Sequence, residues 1–91
     1  MKIRITACDI GVKQKSTDII NLEKGKRDYT LYFFKSTTLS KTRLGLHEAS
    51  SGDCILIAPG FPHYIKSKGE QWTYDAISFK GSDASRLVNQ I

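Results

Sequence analysis

The chain has 91 residues, 40% of them hydrophobic and 25% charged, which is the composition of one globular domain rather than of a disordered segment. No apolar run approaches the ~18 residues that a membrane helix needs. The net charge of +5 raises the question of a nucleic-acid surface, but the 14 Lys and Arg residues are spread along the chain, which favours an ordinary solvated surface.

The first part of the chain predicts two strands separated by a loop. Residues 3–8 alternate in character and favour a first strand. Residues 9–26 are polar and contain glycine breakers, so we expect mostly loop there, in contact with the body of the domain through Ile19, Ile20 and Leu22. Residues 29–34 are mostly aromatic and β-branched, the strongest strand signal in the chain. The inward-facing set stays open between two alternating groups: Tyr29, Leu31 and Phe33, or Thr30, Tyr32 and Phe34.

The middle and later parts predict further short strands joined by turns. Strict alternation over residues 41–47 indicates a half-exposed strand, and residues 54–58 indicate a short buried one. The Pro and Gly residues of 59–62 turn the chain into a strand at 63–65. Residues 72–79 predict a long strand. This succession is typical of an all-β sandwich or barrel.

The last ten residues predict the start of a helix. Ser82 or Asp83 is suited to cap it. The positions that follow form one apolar helical face with i, i+3, i+4, i+7 spacing: Ala84, Leu87, Val88 and Ile91. Because this apolar stripe is still running at the final residue, we expect residues 82–91 to lead into a further part of a longer protein. We expect residues 1–81 to form the barrel and the stripe to pack on its outside.

Three segments in succession carry a family resemblance: RDYTLYF at 27–33, GDCILIAPGFPHY at 52–64 and WTYDAISFKG at 72–81. Their order and spacing resemble the N-terminal cupin-like domain of AraC-type transcription regulators. The resemblance implies an all-β, cupin-like jelly-roll barrel that binds a small effector, most simply a carbohydrate or similar polar metabolite. It implies no enzymatic activity, and DNA contact only through a helix-turn-helix module outside this chain. It also implies that the helical stripe serves interdomain contacts or a homodimer in the full-length protein.

The resemblance further implies a set of ligand-binding residues: Arg27, Tyr29, His63, Tyr64, Trp72, Tyr74 and Ala76. Trp72 and Tyr74 share one face of their strand, and sugar rings bind well against aromatic faces. The alternatives are that this strip is core or that Trp72 plugs the barrel, that His63 ties two strands together, and that Arg27 is a solvated loop charge. Ala76 stands where the family has a second aromatic residue, so a sugar preference does not follow automatically.

A metal-dependent cupin enzyme of the isomerase or dioxygenase type is the second hypothesis. In metal-binding cupins the histidine equivalent to His63 is joined by an earlier H-x-H pair and a glutamate. Here only His47 and Glu48 lie on the preceding strand, so we expect neither a metal nor another cofactor. A small-barrel nucleic-acid module is a third hypothesis, favoured by the basic charge and the aromatic residues, but these aromatic residues lie in apolar sequence and no RNP-like motif is present.

The two cysteines, Cys8 and Cys54, form no Cys-x-x-Cys pair. We expect reduced, partly buried thiols, although the sequence leaves a disulfide open. The N-terminus has no signal-peptide apolar stretch, which predicts a cytoplasmic protein with no membrane association.

Overall fold

The computed structural model describes residues 2–42 and 45–89. Within these ranges the chain forms eight strands and one short helix: β1 (Arg4–Gln14), β2 (Ile19–Leu22), β3 (Tyr29–Phe34), β4 (Thr38–Thr42), β5 (Gly45–Ala49), β6 (Cys54–Ile57), β7 (His63–Ser67), β8 (Trp72–Lys80) and α1 (Ala84–Asn89). The described part of the chain contains no helix with the length and apolar character needed to cross a membrane.

The strands form two four-stranded sheets in which all paired neighbours are antiparallel. One sheet, here called the β3 sheet, has the order β1-β8-β3-β6, and the other, the β7 sheet, has the order β2-β7-β4-β5. Apart from the β4–β5 hairpin, every connection passes from one sheet to the other. This alternation is the topology of a jelly roll, and it confirms the all-β, cupin-like fold predicted from the sequence.

The first strand is longer than predicted, and the loop expected at 9–26 is wrong in two places. β1 continues to Gln14 and pairs with β8 over nearly its whole length, with two register shifts. β2 then pairs with β7. Because β1 and β2 are edge strands and β1 is almost entirely exposed, their side chains need no apolar pattern, and their polar sequence therefore resembles a loop.

The single strand predicted at 41–47 is wrong as well: β4 and β5 are separate strands that pair antiparallel, with Thr42 opposite Gly45. Arg43 and Leu44 lie outside the described residues. β6 ends one residue earlier than predicted and is only half-buried at Ile55, Leu56 and Ile57. It is an edge strand of the β3 sheet, so one side of it is not covered by a neighbouring strand.

The inward-facing set of β3 is Thr30, Tyr32 and Phe34, all of which are buried. Alternation places Tyr32 and Phe34 between the sheets, where they form the core with residues from β5, β7 and β8: Ala49, Ile65, Trp72 and Ala76. The aromatic rings contact one another, with centroid separations of 5.4 Å for Trp72–Tyr74 and 5.6 Å for Tyr32–Tyr74. Aromatic side chains therefore fill this part of the barrel.

The helix begins at Ala84, as the capping pattern predicted, and its first residue is 1% exposed. Val88 is half-buried; the Leu87 side chain and Ile91 lie outside the described part. Asp83 binds the start of the chain rather than its own helix: its Oδ2 accepts a hydrogen bond from the backbone N–H of Lys2 at 2.6 Å, and its own N–H donates to the Lys2 carbonyl at 3.3 Å. We call these two hydrogen bonds the Lys2–Asp83 clasp.

Both cysteines are free and exposed, so the expectation of partly buried thiols is wrong. Cys8 is opposite Ile77 on β8, and Cys54 is opposite Phe33 on β3. These pairings place both thiols on the outer face of the β3 sheet, three strands apart, or about 14 Å across the sheet. A disulfide between them is excluded, because bridged Cα atoms lie within about 7 Å of each other.

Candidate functional site

A cavity of about 700 Å³ opens between β6 and the β7 sheet. Twelve described residues line it: Asn21, Glu23, Ser40, Lys41, Ile55, Leu56, Ile57, Ala58, Phe61, Pro62, Tyr64 and Ile65. They come from four strands and from the loops that follow β2 and β6. The volume lies within the ~300–1,000 Å³ that is typical of small-molecule sites in proteins.

The inner wall of the cavity is aliphatic. Ile55 is opposite Tyr32, and Ile57 is opposite Thr30. Paired residues of an antiparallel sheet share a face, so both isoleucines point between the sheets. Ile65 faces them from β7 and is fully buried. The half-burial of Ile55 and Ile57 follows from this arrangement, since the cavity lies where a neighbouring side chain would otherwise cover them.

The two loops at the rim hold each other in place. The Gly60 N–H donates a hydrogen bond to the Lys26 carbonyl at 2.9 Å. Gly25 has a φ of +69° and lies so close to the Phe61 backbone that a Cβ there would overlap with the Phe61 carbonyl oxygen. Only glycine combines this positive φ with this close approach. The rim therefore has a defined shape, with Phe61 42% exposed at the opening.

Ser40 supplies the polar group in the wall. It is opposite Ile65 on β7 and His47 on β5, which places its side chain on the inner face of the β7 sheet. Ser40 is 3% exposed, and its Oγ has no hydrogen-bond partner among the described residues. A buried hydroxyl without a partner costs about 1–3 kcal/mol. Ser40 is also one of the residues that line the cavity.

His63 and Tyr32 form a polar contact next to this wall. The Tyr32 hydroxyl and His63 Nδ1 lie 2.8 Å apart and link the two sheets, while His63 Nε2 is buried without a partner in the part of the chain that the structure describes. Burial lowers the pKa of His63, and the positive charge of Lys26 lowers it further. Burial also raises the pKa of the Tyr32 hydroxyl, with a smaller contribution from Tyr74. Both groups are therefore neutral near pH 7.

The structure does not bring the predicted ligand-binding residues together in the cavity. Tyr64 borders it, although alternation puts its side chain on the face of β7 opposite to His63 and Ile65. His63 is fully buried and ties β7 to β3 through Nδ1. Trp72 and Ala76 belong to the core, and Tyr74 packs against it.

The two residues predicted at the start of β3 lie elsewhere. Arg27 is exposed before the strand. The ring of Tyr29 stacks on Phe79 at a centroid separation of 5.3 Å, on the outer face of the β3 sheet. Neither residue borders the cavity.

Sequence reasoning missed the residues that do form the inner wall: Ser40, Ile55, Ile57 and Ile65. A signal was present for the isoleucines, since residues 54–58 were identified as a strand and alternation pairs Ile55 with Ile57. No signal distinguished Ser40, because the strand that holds it was predicted to begin at Lys41.

Among the described residues, no group of three or more His, Cys, Asp or Glu side chains could hold a metal ion. His47 is exposed on β5, and His63 is buried on β7, two strands away in the sheet. Glu48 forms an ion pair with Lys68 at 2.7 Å.

A family model described as the AraC-like ligand binding domain matches residues 37–91, more than half of the chain. The matched segment includes β4 to α1 and all of the cavity residues except Asn21 and Glu23. A search of the curated proteins found no match. Among solved structures, the chain is similar to a cupin domain from Bordetella pertussis Tohama I. The identity is 14%, the alignment covers 88% of this chain and 83% of that one, and the TM-score is 0.44.

Proposed function

We propose that this chain, which belongs to the family of AraC-like ligand-binding domains, binds a small-molecule effector in the cavity between β6 and the β7 sheet. The observation that carries the proposal is the cavity itself: about 700 Å³, with a rim fixed by two loops and a buried hydroxyl without a partner in its wall. An unsatisfied buried polar group in a concave, mainly apolar site is a feature that ligand binding explains directly.

The bound effector would act by changing a conformational equilibrium. A ligand shifts such an equilibrium only if it binds the two states with unequal affinity. The loops after β2 and β6 are the natural place for this difference, because both border the cavity and contact each other through Gly25 and Phe61. We propose that the change reaches a DNA-binding helix-turn-helix module elsewhere in a longer cytoplasmic protein. In the same proposal, the C-terminal segment provides interdomain or dimer contacts through Leu87, Val88 and Ile91, whereas Ala84 is 1% exposed and is buried within the domain itself.

The proposal is tested by a titration monitored by NMR with isoleucine δ-methyl labelling. The panel contains pentoses, hexoses and disaccharides together with small alcohols of increasing apolar size. Ile55, Ile57 and Ile65 report on the cavity wall, and the exposed Ile5 and Ile10 of β1 are internal controls. Melting temperature is measured in parallel, since a ligand at ~100 times its Kd adds about 2.7 kcal/mol of stability.

A saturable shift of the three wall methyl signals, with the β1 signals unchanged, is the expected result. The Ile57→Trp variant should abolish it by filling the cavity, whereas Ile10→Trp, at an exposed position, should not. The proposal fails if the panel shifts the β1 and wall signals equally, or if Ile57→Trp binds as well as the natural chain.

The class of effector is a separate question from the site. The family resemblance favours a carbohydrate, and sugars are therefore half of the panel. The absence of enzymatic activity stays a prediction: a metal-dependent reaction would be indicated if divalent metal ions shifted the wall methyl signals and a chelator reversed the shift.

A further inference from the structure

We propose that the effector is a compact, mainly apolar organic molecule with a single hydroxyl-type hydrogen-bonding group, rather than a sugar. This inference rests on the proposed function and narrows it. It depends on three properties of the cavity: an aliphatic wall, one buried polar group within that wall, and charges of opposite sign at its border.

The wall is poorly suited to a sugar. Ile55, Ile57 and Ile65 present branched aliphatic side chains that can accept no hydrogen bond. Each sugar hydroxyl placed against them would lose its hydrogen bonds to water, at about 1–3 kcal/mol for each group. Trp72 and Tyr74 pack in or against the core and do not border the cavity. Of the two aromatic residues that do border it, Phe61 lies at the opening, and alternation directs the Tyr64 side chain to the other face of β7.

The same wall is well suited to an apolar body. Apolar surface removed from water contributes about 25 cal/mol per Å². At the rim, Phe61 and Pro62 extend the apolar surface toward solvent. A ring or branched chain that enters past these two residues would contact the half-buried isoleucines of β6, Ile55 and Ile57.

Ser40 sets the polar requirement. Its Oγ is the only atom of a lining residue among the buried side-chain atoms without a partner in the described part of the chain. A serine hydroxyl can donate one hydrogen bond and accept others. One hydroxyl on the ligand is therefore sufficient to satisfy it, and further polar groups would face Ile65 beside it.

The charges at the border do not favour an ion. Glu23 and Lys41 both line the opening, are exposed and carry opposite charges. Both charged side chains lie outside the aliphatic wall. An ionic group of a ligand bound against that wall would therefore have no oppositely charged partner there. A neutral ligand avoids this requirement.

The test compares 1-naphthol, 1-methylnaphthalene and D-glucose, with binding measured by probe fluorescence or isoleucine methyl shifts. The two bicyclic probes have similar shapes and differ in one substituent, which is a hydroxyl in 1-naphthol and a methyl group in 1-methylnaphthalene. In the natural chain both should bind, with shifts at Ile55, Ile57 and Ile65, whereas glucose should not. Ser40→Ala should weaken 1-naphthol relative to 1-methylnaphthalene by about fivefold, the effect of one hydrogen bond.

Thr38→Val is the matched control. Thr38 lies on the same strand and is fully buried with an unpartnered hydroxyl, but it does not line the cavity. This variant should leave the affinity ratio of the two probes unchanged. Ile57→Asn, which places a polar group in the wall, should weaken both probes together.

The outcomes separate the two proposals. Saturable binding of glucose at the wall methyl groups, without binding of the bicyclic probes, overturns the apolar effector and preserves the effector-binding function. An equal change of the affinity ratio in Ser40→Ala and Thr38→Val overturns the role of Ser40. Absence of saturable binding by all three probes overturns the apolar effector; the function itself then fails only if the whole sugar and alcohol panel also leaves the wall signals unchanged.

Discussion

Acidification below about pH 6.5 should destabilise this domain through His63. The imidazole is fully buried, its Nδ1 contacts the Tyr32 hydroxyl, and its Nε2 has no partner within residues 2–42 and 45–89. The protonated ring would carry an N–H donor at both nitrogens and a full positive charge in the interior. Burial and Lys26 therefore lower the pKa of His63 in the folded state, while the unfolded chain keeps the ordinary value of about 6.5.

The sign of the effect follows from proton binding. Below pH ~6.5 the unfolded state takes up a proton that the folded state does not, so the free energy of unfolding falls as the pH falls. One such proton gives a slope of at most about 1.4 kcal/mol per pH unit. The loss continues until the pH reaches the lowered pKa of the folded state. A domain of this size loses about 4–8 °C in Tm per kcal/mol, so the decrease over one pH unit should be several degrees.

The measurement is urea unfolding followed by circular dichroism from pH ~7.5 to ~5. His63→Gln, which cannot titrate, should remove the slope, and His47→Gln should keep it, because His47 is exposed. Asp75 contributes a second loss of stability at lower pH. The hydrogen bond from the Gly11 N–H, and then Lys35, lower the pKa of the Asp75 carboxyl, so this loss occurs as the pH falls through the lowered pKa. An unchanged slope in His63→Gln would refute the reasoning.

Three further predictions concern packing. Gly25→Ala should destabilise the domain by more than Gly11→Ala in urea unfolding. Both glycines have positive φ, but of the two only Gly25 would place a Cβ in overlap with a backbone atom. Equal losses of unfolding free energy in the two variants would contradict the contact between Gly25 and the rim loop. Tyr32→Phe should lower the free energy of unfolding by about 1–3 kcal/mol, because it leaves Nδ1 of His63 buried without a partner. A change near zero would show that a water molecule takes the place of the hydroxyl. Trp72 fluorescence should be blue-shifted, poorly quenched by acrylamide and little changed by ligand, since Trp72 is 1% exposed and does not border the cavity; a strong ligand response would contradict this placement.

The fold was predictable because its central strands have clear apolar patterns. β3 and β8 pair with neighbours on both sides, and their sequences were identified as strands over almost their full length. β1 was not predictable beyond residue 8, because an exposed edge strand is specified by backbone pairing rather than by side-chain pattern. The β4–β5 hairpin was missed because residues 41–47 keep strict alternation across a reversal of the chain direction.

The candidate site was less predictable than the fold. Alternation identified the strip of Trp72, Tyr74 and Ala76, but it cannot tell whether an inward face meets a cavity or other side chains. That depends on where the opposite sheet lies, and here Tyr32 and Phe34 fill the space beside the strip. The cavity instead forms at β6, where no further strand covers the edge of the β3 sheet.

The Lys2–Asp83 clasp gives the domain a mechanical property. It joins the residues that precede β1 to the residues that begin α1, and Gly81 lies against the Lys2 carbonyl with no room for a side chain. The start of β1 is therefore connected to the start of the helix by direct hydrogen bonds, and this connection does not involve the residues of the aromatic core. The residues that precede β1 and those that precede α1 are thus joined by two hydrogen bonds, and Asp83→Ala would remove the one that the carboxylate accepts.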